Sequence, residues 1–476
     1  MKKHSLQLKA SVRAVIPLFL KLPGNDRIKH LISRVEKLND IEVNQCLEWV
    51  MQHFDKRHRN IQAIFKQHFQ KLNEQTGNNI SQLSAKKKLL LGAYFTKEYS
   101  IQSAALFNPS IVPHPDQQGL KAGELRFVMS LRATGEGHIS SIIFQTGIVD
   151  ENGSIILDPP SGYYNCVQKN ENALYNKEFF RLRTATISGF DSRVFDWLPE
   201  SFTALLANES FKGIDYPQKF VVDSISSLQE MLDSNYELKG SASIPLNEKV
   251  IFPSAKAESM GMEDLRLVKF EHAGESVYYG TYTAYNGKQI RTQILETRDF
   301  NDFTIRTLYG GGIADKGMAL FPEKVKGKFV MISRQGGENL SIMFSDDLYS
   351  WENAELLMEP LYSWELLQLG NCGSPVKTKE GWLLLTHGVG PMRTYVISAI
   401  LLDLQEPNRI IGRLDRPLLE ADESEREGYV PNVVYTCGFM LHQNRLIIPY
   451  AVSDSATCFA SIGLDELLLE FKLKKS

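Results

Sequence analysis

Three residues that can donate hydrogen bonds to an anion recur at related positions of the chain. Arg334 lies twelve residues after Pro322, and His387 lies twelve residues after Pro375, in two segments that share one sequence pattern. Lys316, in the string ADKGMALFP, stands just before the first of these segments. Two cations and a histidine around one opening offer charge-assisted donors to phosphate oxygens. The spacing therefore predicts an anion pocket.

A second group of polar residues stands at, or next to, the equivalent strand ends of the other segments. It combines carboxyl groups, which can act as general acids, with arginine and tyrosine side chains. If the strand ends converge, all of these side chains meet at one opening. The group comprises Arg132, Glu263, Asp264, Arg266, the Tyr282–Tyr285 stretch and Asp454.

An internal repeat places these residues. Four segments begin with a similar apolar stretch and continue through a turn into a second strand; their anchors are Arg266, Pro322, Pro375 and Pro431, at intervals of 56, 53 and 56 residues. An earlier segment, from FNPSIVPH, has the same pattern and makes five units. A period near 50 with several strands per unit is typical of propeller blades. We predict an all-β five-bladed β-propeller, with a sandwich of short strands as the alternative.

Two parts of the chain depart from this repeat. Residues 1–95 are predicted to form an N-terminal α-helical extension, because apolar residues between Val43 and Phe65 recur at intervals of three and four. Residues 96–476 then form the propeller domain, with an insertion at about 153–260 that contains a helix at SSLQEMLDSNYEL. The apolar stripes of the extension must pack against the propeller or another subunit, so a homo-oligomer formed through the extension is an expectation.

Composition excludes several classes of partner. The 476 residues include 53 Lys and Arg and 56 Asp and Glu, a net charge of −3, so no overall field attracts nucleic acid or an anionic membrane. We expect neither as a partner. The five Cys lack C-x-x-C spacing, which favours free thiols in a reducing compartment and a cytoplasmic location. No cluster with zinc spacing and no oxygen-rich calcium loop is present in the sequence, so no metal and no cofactor are predicted.

Several ordered strings resemble glycoside hydrolase family 130, the β-mannoside phosphorylases and their hydrolytic relatives. They are GMEDLRLV, YYGTYTAYNG, DKGMALFPEKVKGKFVMISR, GSPVKTKEGWLLLTHGVG, and REGYVPNVVY ahead of AVSDSA, and the resemblance covers about residues 107–468. It implies a five-bladed propeller and an inverting reaction. In that reaction inorganic phosphate, as co-substrate, attacks C1 of a β-linked mannosyl unit and releases α-mannose 1-phosphate and a shortened acceptor.

The resemblance also implies roles for single residues. Asp264, in the family's E-D-x-R motif, is the implied general acid and acts through the mannose 3-hydroxyl; Leu265 stands where members commonly have proline. We expect this acid to have a raised pKa, and we expect Glu263 to point away from it, because neighbours in a strand usually alternate. The implied phosphate ligands are Lys316, Arg334 and His387. The expected substrate-binding residues are Asn108, Arg132, Glu263, Arg266, Tyr285, Arg291 and Asp454.

The types of charged residue at the predicted site distinguish phosphorolysis from hydrolysis. An inverting hydrolase requires two carboxylates, roughly 6.5–9.5 Å apart. A phosphorylase requires one acid, and cations that hold the phosphate against the sugar. All three implied phosphate ligands are present, which favours phosphorolysis of a β-manno-oligosaccharide or mannosyl glycoside. A hydrolase of the same family, a mannosyltransferase-like enzyme and a non-catalytic carbohydrate-binding propeller remain as alternatives.

Overall fold

The computed structural model describes residues 1–77, 79–185, 187–212 and 219–473. Antiparallel strands are its main regular secondary structure, so the mostly-β character predicted from the sequence is confirmed. Helices are concentrated near the N-terminus and between the strands of the first two repeats. The described α-helices span Asn25–Lys37, Asp40–Phe54, Ile61–Gln75, Ala85–Tyr94, Lys177–Thr184, Ala204–Ser210, Lys219–Ser234 and Leu464–Glu470.

The strands fall into five successive units, numbered here in chain order. Units 1 and 2 share one twelve-stranded sheet, joined by a single parallel pair between Gly261 and Ser140. The joint explains how a repeat of separate segments produces a sheet larger than any one of them. Unit 1 contains Ala105–Pro113, Leu125–Thr134, Ser140–Val149 and Ile155–Leu157; unit 2 contains Tyr236–Lys239, Gly261–His272, Glu275–Tyr285, Ile290–Thr297 and Phe303–Thr307.

The remaining units are separate antiparallel sheets. Unit 3 contains Ala319–Leu320, Phe329–Gln335, Asn339–Ser345 and Glu355–Met358. Unit 4 contains Gln368–Asn371, Val376–Lys377, Trp382–Val389, Tyr395–Leu402 and Ile410–Arg413, and Lys472–Leu473 pairs with its last strand. Unit 5 contains Lys2–Lys9, Val434–Tyr435, Met440–His442, Arg445–Val452 and Ala456–Gly463.

Each unit packs against the next through an apolar cluster, and unit 5 packs against unit 1. Cross-unit packing of this kind buries the apolar faces that the alternating strand pattern creates. Each cluster contains residues of both neighbouring units. Examples are Phe144 and Phe303 for units 1 and 2, Phe270 and Met331 for units 2 and 3, Ile342 and Leu384 for units 3 and 4, Leu385 and Ile448 for units 4 and 5, and Met129 and Phe459 for units 5 and 1.

The first 95 residues are helical only in part. Lys2–Lys9 forms a strand of unit 5, and Val15–Phe19 pairs with Thr96–Ser100. His4, Leu6 and Leu8 lie on its less exposed side, an alternation that a strand satisfies and a helix does not. The prediction of a helical segment from residue 1 was therefore wrong at its N-terminal end.

The helices between residues 25 and 94 bury their apolar stripes against one another. Val43, Leu47, Phe69 and Leu91 belong to one buried cluster. This packing satisfies the amphipathic pattern without a second subunit. An ion pair connects this helical segment to the region before unit 2. The guanidinium of Arg59, just before the helix Ile61–Gln75, donates to both oxygens of the Glu248 carboxylate at 2.5 and 2.6 Å.

The region between units 1 and 2 contains a small helical cluster of its own. Phe180, Phe202 and Leu228 lie in one buried apolar group there. The helix predicted at residues 226–238 is found as Lys219–Ser234, and the next residues, Tyr236–Lys239, form a strand of unit 2 instead. Tyr236 and Leu238 are buried on one side of that strand, so the alternating pattern ends the helix. Among the described residues, none of the helices has the length and apolar character needed to span a bilayer.

Candidate active site

Nine of the eleven predicted site residues line one cavity of about 330 Å³. They come from all five units, so residues far apart in the chain meet at one place. The nine residues are Asn108, Arg132, Glu263, Asp264, Arg266, Lys316, Arg334, His387 and Asp454.

Asp264 reaches the cavity because its strand contains an irregularity. The register of Gly261–His272 against Glu275–Tyr285 shifts between Glu263 and Arg266, and Asp264 has a φ of 58°. A bulge of this kind re-aims side chains, and aspartate tolerates the left-handed region better than most residues. The bulge also explains why Glu263 and Asp264 both line the cavity. The expectation that the two side chains alternate was wrong.

The Asp264 carboxylate is surrounded by donors. Its Oδ1 accepts hydrogen bonds from Asn108 Nδ2 at 2.7 Å and from Arg132 Nη1 at 3.2 Å. Burial would raise the pKa of this carboxyl, but the positive charges of Arg132 and Arg266 hold it below its ordinary value. The expectation of a raised pKa was therefore wrong for the ligand-free protein, because the neighbouring cations outweigh desolvation.

Glu263 bridges the acid to the cationic side of the cavity. Its Oε1 accepts from Arg132 Nη2 at 3.1 Å, and its Oε2 accepts from Lys316 Nζ at 2.8 Å. Arg132 thus contacts both carboxylates, and Glu263 holds Lys316. The arrangement couples the position of Lys316 to that of Asp264.

Arg266 lies beneath these groups with 4% of its surface exposed. Its Nη1 donates to the backbone oxygen of Asp264 at 2.9 Å, and its Nη2 donates to the Tyr435 hydroxyl at 2.5 Å. The first contact holds the bulged backbone. Arg266 therefore supports Asp264 from below as well as lining the cavity.

Arg334 provides the second cation of the predicted anion site. Its Nη2 lies 3.8 Å from Asp315 Oδ1, and its buried Nε has no hydrogen-bond partner among the described residues. A buried guanidinium with donors to spare is suited to a tetrahedral oxyanion. Arg334 and Lys316 together give the cavity two positive charges opposite the Asp264 carboxylate.

His387 lies in the same wall of the cavity but differs from the two cations. It is 3% exposed, and burial together with the nearby Arg334 and Arg266 charges lowers its pKa to about 3. The imidazole is therefore neutral at physiological pH. His387 lies in the cavity as predicted, but it adds no positive charge; of the three implied phosphate ligands, only Lys316 and Arg334 are cations.

Asp454 is the second aspartate in the cavity, and its environment is opposite to that of Asp264. Burial and the Asp264 carboxylate raise the pKa of Asp454 to about 6, although Arg132 and Arg393 act in the other direction. The backbone φ is 48°, just beyond the end of Arg445–Val452. Of the two aspartates in the cavity, Asp264 is therefore ionised, while Asp454 titrates near neutrality.

Two predicted residues do not line this cavity. Arg291 lines a neighbouring cavity of about 380 Å³ and donates from Nη1 to Ser234 Oγ at 2.9 Å. Tyr285 ends its strand with its ring centroid 6.0 Å from Lys316 Nζ. Asp315, next to Lys316 in sequence, lines the Arg291 cavity, so the two cavities lie close together. The expectation that Arg291 faces the same opening was wrong, because its side chain turns toward the helix Lys219–Ser234.

Sequence reasoning missed several cavity residues. Arg393 lies in a turn and has a φ of 55°. No sequence pattern predicts this conformation for an arginine. Tyr435 lies within the quoted string REGYVPNVVY, which could have drawn attention to it. The missed lining residues with polar side chains are Gln368, Asn371, Arg393, Tyr395 and Tyr435.

Comparisons with known proteins identify the family of the chain. A family model described as β-1,4-mannooligosaccharide phosphorylase matches residues 222–472, which is more than half of the chain. The chain belongs to glycoside hydrolase family 130. The matched range contains Asp264, Lys316, Arg334 and His387, while Asn108 and Arg132 lie before it.

Individual relatives carry related names. A 1,2-β-oligomannan phosphorylase of Thermoanaerobacter sp. (strain X514) is 32% identical over 230 residues, covering 47% of this chain and 75% of the relative. A β-1,2-mannobiose phosphorylase of the same organism is 31% identical over 222 residues, 44% of this chain and 69% of the relative. The solved β-1,2-mannobiose phosphorylase of Listeria innocua, in complex with β-1,2-mannobiose, aligns at 21% identity over 77% of this chain and 92% of its own, with a TM-score of 0.47.

Proposed function

We propose that this protein is an inverting β-mannoside phosphorylase, which uses inorganic phosphate to release α-mannose 1-phosphate from a β-linked mannoside. One observation carries the proposal: the Asp264 carboxyl shares a cavity with the two cations Lys316 and Arg334. Inverting hydrolysis needs a second, base carboxylate beside the acid. The cavity also contains Glu263 and Asp454, so its carboxyl groups alone do not decide between the two reactions. Cations that hold an anionic nucleophile favour phosphorolysis.

In the proposed reaction a phosphate oxygen forms a bond to C1 of the mannosyl unit while the bond from C1 to the leaving oxygen breaks on the opposite face. Lys316 and Arg334 hold the phosphate and offset the loss of its hydration. The leaving oxygen takes a proton that reaches it through Asp264 and the substrate's own hydroxyl. The proton carried by HPO₄²⁻ restores the balance, so the products are mannose 1-phosphate dianion and the shortened acceptor.

Asp264 must hold a proton for this step, although it is ionised in the ligand-free protein. The positive charge of Lys316 lowers the pKa of Asp264. A bound phosphate dianion would partly neutralise that charge and so weaken its effect on the carboxyl. The same dianion repels a nearby carboxylate. Phosphate binding is therefore expected to raise the Asp264 pKa toward the working pH. The phosphate is itself the nucleophile, so the proposed reaction needs no metal or organic cofactor.

We propose a five-bladed β-propeller as the architecture that positions this site, with the five units as its blades. The closed series of apolar clusters, from unit 1 through unit 5 and back to unit 1, supports this proposal. A ring of blades also accounts for why each unit contributes to one cavity.

The linkage of the substrate follows from neither the site nor the names of the relatives, which mention both 1,2- and 1,4-linked mannosides. The deciding experiment incubates β-1,2-, β-1,3- and β-1,4-linked manno-oligosaccharides with the protein, with and without phosphate, and measures mannose 1-phosphate. We expect phosphate-dependent product from at least one linkage. Free mannose released at equal rates with and without phosphate would instead identify a hydrolase.

The phosphate site can be tested apart from the sugar site. Arg334→Ala removes one of the two cations, so we expect the KM for phosphate to rise by about tenfold or more. The KM for the mannoside should change little. Arg298→Ala is a matched control, since Arg298 is exposed and its guanidinium pairs with Glu275 at 2.9 Å. Unchanged phosphate kinetics in Arg334→Ala would contradict the assignment.

A further inference from the structure

Arg393 differs from the other cations that line the active-site cavity. Each of the others contacts a carboxylate, a backbone oxygen or a hydroxyl group of the protein; they are Arg132, Arg266, Lys316 and Arg334. Arg393 lines the cavity too, but within the described part of the chain its guanidinium has neither a hydrogen bond nor an ion pair, and its Cζ lies 5.9 Å from the Tyr395 ring centroid. The side chain is exposed, so its donors are available to a ligand.

The backbone holds Arg393 in a conformation that an arginine seldom adopts. Met392 and Arg393 have φ values of 57° and 55°, in the turn between the second and third main strands of unit 4. The equivalent turn of unit 1 has a glycine, Gly137, at the first of these two positions. Left-handed backbone at other residue types is costly, and it concentrates at functional sites. The turn of unit 4 thus keeps a costly conformation where it brings an arginine to the cavity.

Arg393 lies near unit 5, whereas the two proposed phosphate cations belong to unit 3. Lys316 stands just before the first strand of unit 3, and Arg334 lies in its second strand. Unit 3 shares apolar clusters with units 2 and 4, so units 5 and 1 are the ones that do not pack against it. Burial raises the pKa of Asp454, in unit 5, and the positive charge of Arg393 opposes that rise. Arg393 is therefore close to the carboxyl group that unit 5 contributes to the cavity.

An exposed aromatic ring lies between units 5 and 1. Tyr429 is 52% exposed, and the next residue, Val430, lines the cavity. The Tyr429 amide donates to Ser455 Oγ at 2.8 Å, which holds this segment beside the turn that contains Asp454. The Tyr429 hydroxyl lies 3.0 Å from His138 Nδ1 in the turn of unit 1, so the ring is held from both units. A ring held in this way, next to polar groups, is suited to stacking on the flat apolar face of a pyranose.

The geometry of an inverting reaction connects these observations. Nucleophile and leaving group occupy opposite faces of the sugar carbon, so phosphate held by unit 3 directs the leaving sugar toward units 5 and 1. We propose that Arg393 and the Tyr429 ring form the site for the acceptor sugar, the group that leaves in phosphorolysis and attacks in synthesis. This assignment rests on the proposed function. A pyranose has neighbouring hydroxyl groups for the guanidinium and an apolar face for the ring, whereas a purely apolar acceptor would use only the ring.

Kinetics in the direction of synthesis separate the acceptor from the donor. The full chain is given mannose 1-phosphate and, as acceptor, the shortened product of its preferred mannoside, and the release of phosphate is measured. Arg393→Asn removes the guanidinium, while asparagine tolerates the left-handed turn. We expect the KM for the acceptor to rise by about tenfold or more, and the KM for mannose 1-phosphate to stay within about twofold. An unchanged acceptor KM, or a larger rise in the KM for mannose 1-phosphate, would overturn the proposal.

The ring is tested by a pair of variants at one position. Tyr429→Ala removes the stacking surface, so we expect the KM for the acceptor to rise by about fivefold or more. Tyr429→Phe keeps the ring and should stay within about twofold of the native value. Tyr94→Ala is the control, because Tyr94 is also exposed, at 43%, but lies at the end of an N-terminal helix. An acceptor KM that is the same in Tyr429→Ala and Tyr94→Ala would contradict the role of the ring.

Sugar binding without phosphate keeps this proposal apart from the proposed function. Calorimetric titrations of the full chain compare mannose with β-1,2- and β-1,4-linked mannobiose, that is, one sugar unit with two. We expect at least one mannobiose to bind about tenfold or more tightly than mannose, and Arg393→Asn to lose most of that difference. A difference that persists in the variant, or none in the native protein, would contradict the acceptor site. Absent mannose 1-phosphate in the mannoside assay contradicts the function, while these titrations still test Arg393.

Discussion

Four residues of the cavity with side chains have a positive φ, and besides Arg393 three of them are of related residue types. Asn108, Asp264 and Asp454 have φ values of 49°, 58° and 48°. All three are asparagine or aspartate, the residue types that enter the left-handed region at least cost after glycine. The first two occupy bulges of their strands and are hydrogen-bonded to each other. The residue type thus serves both the local turn and the chemistry of the cavity.

Asp264→Asn should abolish phosphorolysis and leave the fold intact. The amide occupies the same volume and tolerates the same backbone conformation, but it cannot transfer a proton. We expect turnover to fall by about a thousandfold or more, measured as mannose 1-phosphate released from the preferred mannoside. Thermal unfolding and phosphate titration serve as the controls for folding. A variant that keeps a tenth of the activity would contradict the role of Asp264.

Asp454→Asn should stabilise the protein in a pH-dependent way. The native pKa is raised from 3.8 to about 6, so between these values the native state binds more protons than the unfolded state. Stability then falls as pH rises through that window, and the full cost is present above it. The variant should gain roughly 1–3 kcal/mol at pH 8 and much less at about pH 4.5. Equal gains in the thermal midpoint at both pH values would contradict the raised pKa.

The sequence predicted most of the residues that line the cavity, but it did not predict the orientation or the pKa of their side chains. Arg334 and His387 could be paired because the repeat places them at the same distance from their anchors. The shared direction of Glu263 and Asp264 depends on a bulge, and the low pKa of Asp264 depends on Arg132, which is 132 positions away in the chain. Neither property has a local signature.

At the scale of elements, the repeat extends to the turns. In units 1 and 4 the hairpin between the second and third main strands has the same form. Gly135 N–H donates to the Ile139 oxygen at 3.0 Å, and Gly390 N–H donates to the Thr394 oxygen at 3.0 Å. The middle residue of each turn and the residue after it have positive φ; they are Gly137 and His138 in unit 1, and Met392 and Arg393 in unit 4. The turn in unit 4 carries Arg393 to the cavity, a placement that the strand pattern alone could not give.

Gly370→Ala should weaken phosphate binding by displacing a neighbouring side chain. The added methyl would overlap the His387 ring, so the ring must leave its position in the cavity wall. We expect the KM for phosphate to rise by about tenfold, with a small change in the KM for the mannoside. Gly463→Ala is the control, because a Cβ there meets nothing closer than 3.7 Å. Equal phosphate kinetics in both variants would show that the ring does not depend on Gly370.

The helices and strands differ in how well they could be predicted. The helix Asp40–Phe54 has its apolar stripe and an N-terminal capping box at Asn39, both readable from the sequence. The strand Lys2–Lys9 has only a weak alternation of apolar and polar residues. Its partner lies more than 440 residues away, so no local pattern could identify the pairing.

At the scale of the whole molecule, the homo-oligomer expected from the sequence remains a prediction. The core stripes of the N-terminal helices are buried, but Ile41 and Trp49 on one of them are 68% and 56% exposed. Exposed residues of this kind leave room for a further contact, although single ones are normal on a protein surface. Light scattering that returned the 53.9 kDa mass of one chain would contradict the oligomer.

The N-terminal strand Lys2–Lys9 joins the sheet of unit 5, where it pairs with Ala456–Gly463. Lys3 Nζ also contacts Asp422 at 3.0 Å and Glu425 at 2.5 Å. The N-terminal strand thus covers what would otherwise be an exposed edge of unit 5. Because Leu6 and Leu8 pack on the apolar cluster between units 5 and 1, the strand also contributes to the contact between these units.

Deletion of Lys2–Lys9 should therefore destabilise the protein and make it prone to self-association. Losing the two partly buried leucines costs roughly 2–4 kcal/mol, which for a chain of this length corresponds to a fall of roughly 2–4 °C in the thermal midpoint at a fixed scan rate. The uncovered strand Ala456–Gly463 presents free backbone groups, so aggregation on heating should also begin earlier. Ser5→Ala is the control, since Ser5 is exposed and its replacement leaves the strand in place. An unchanged midpoint together with unchanged light scattering on heating would mean that unit 5 is complete without its N-terminal strand.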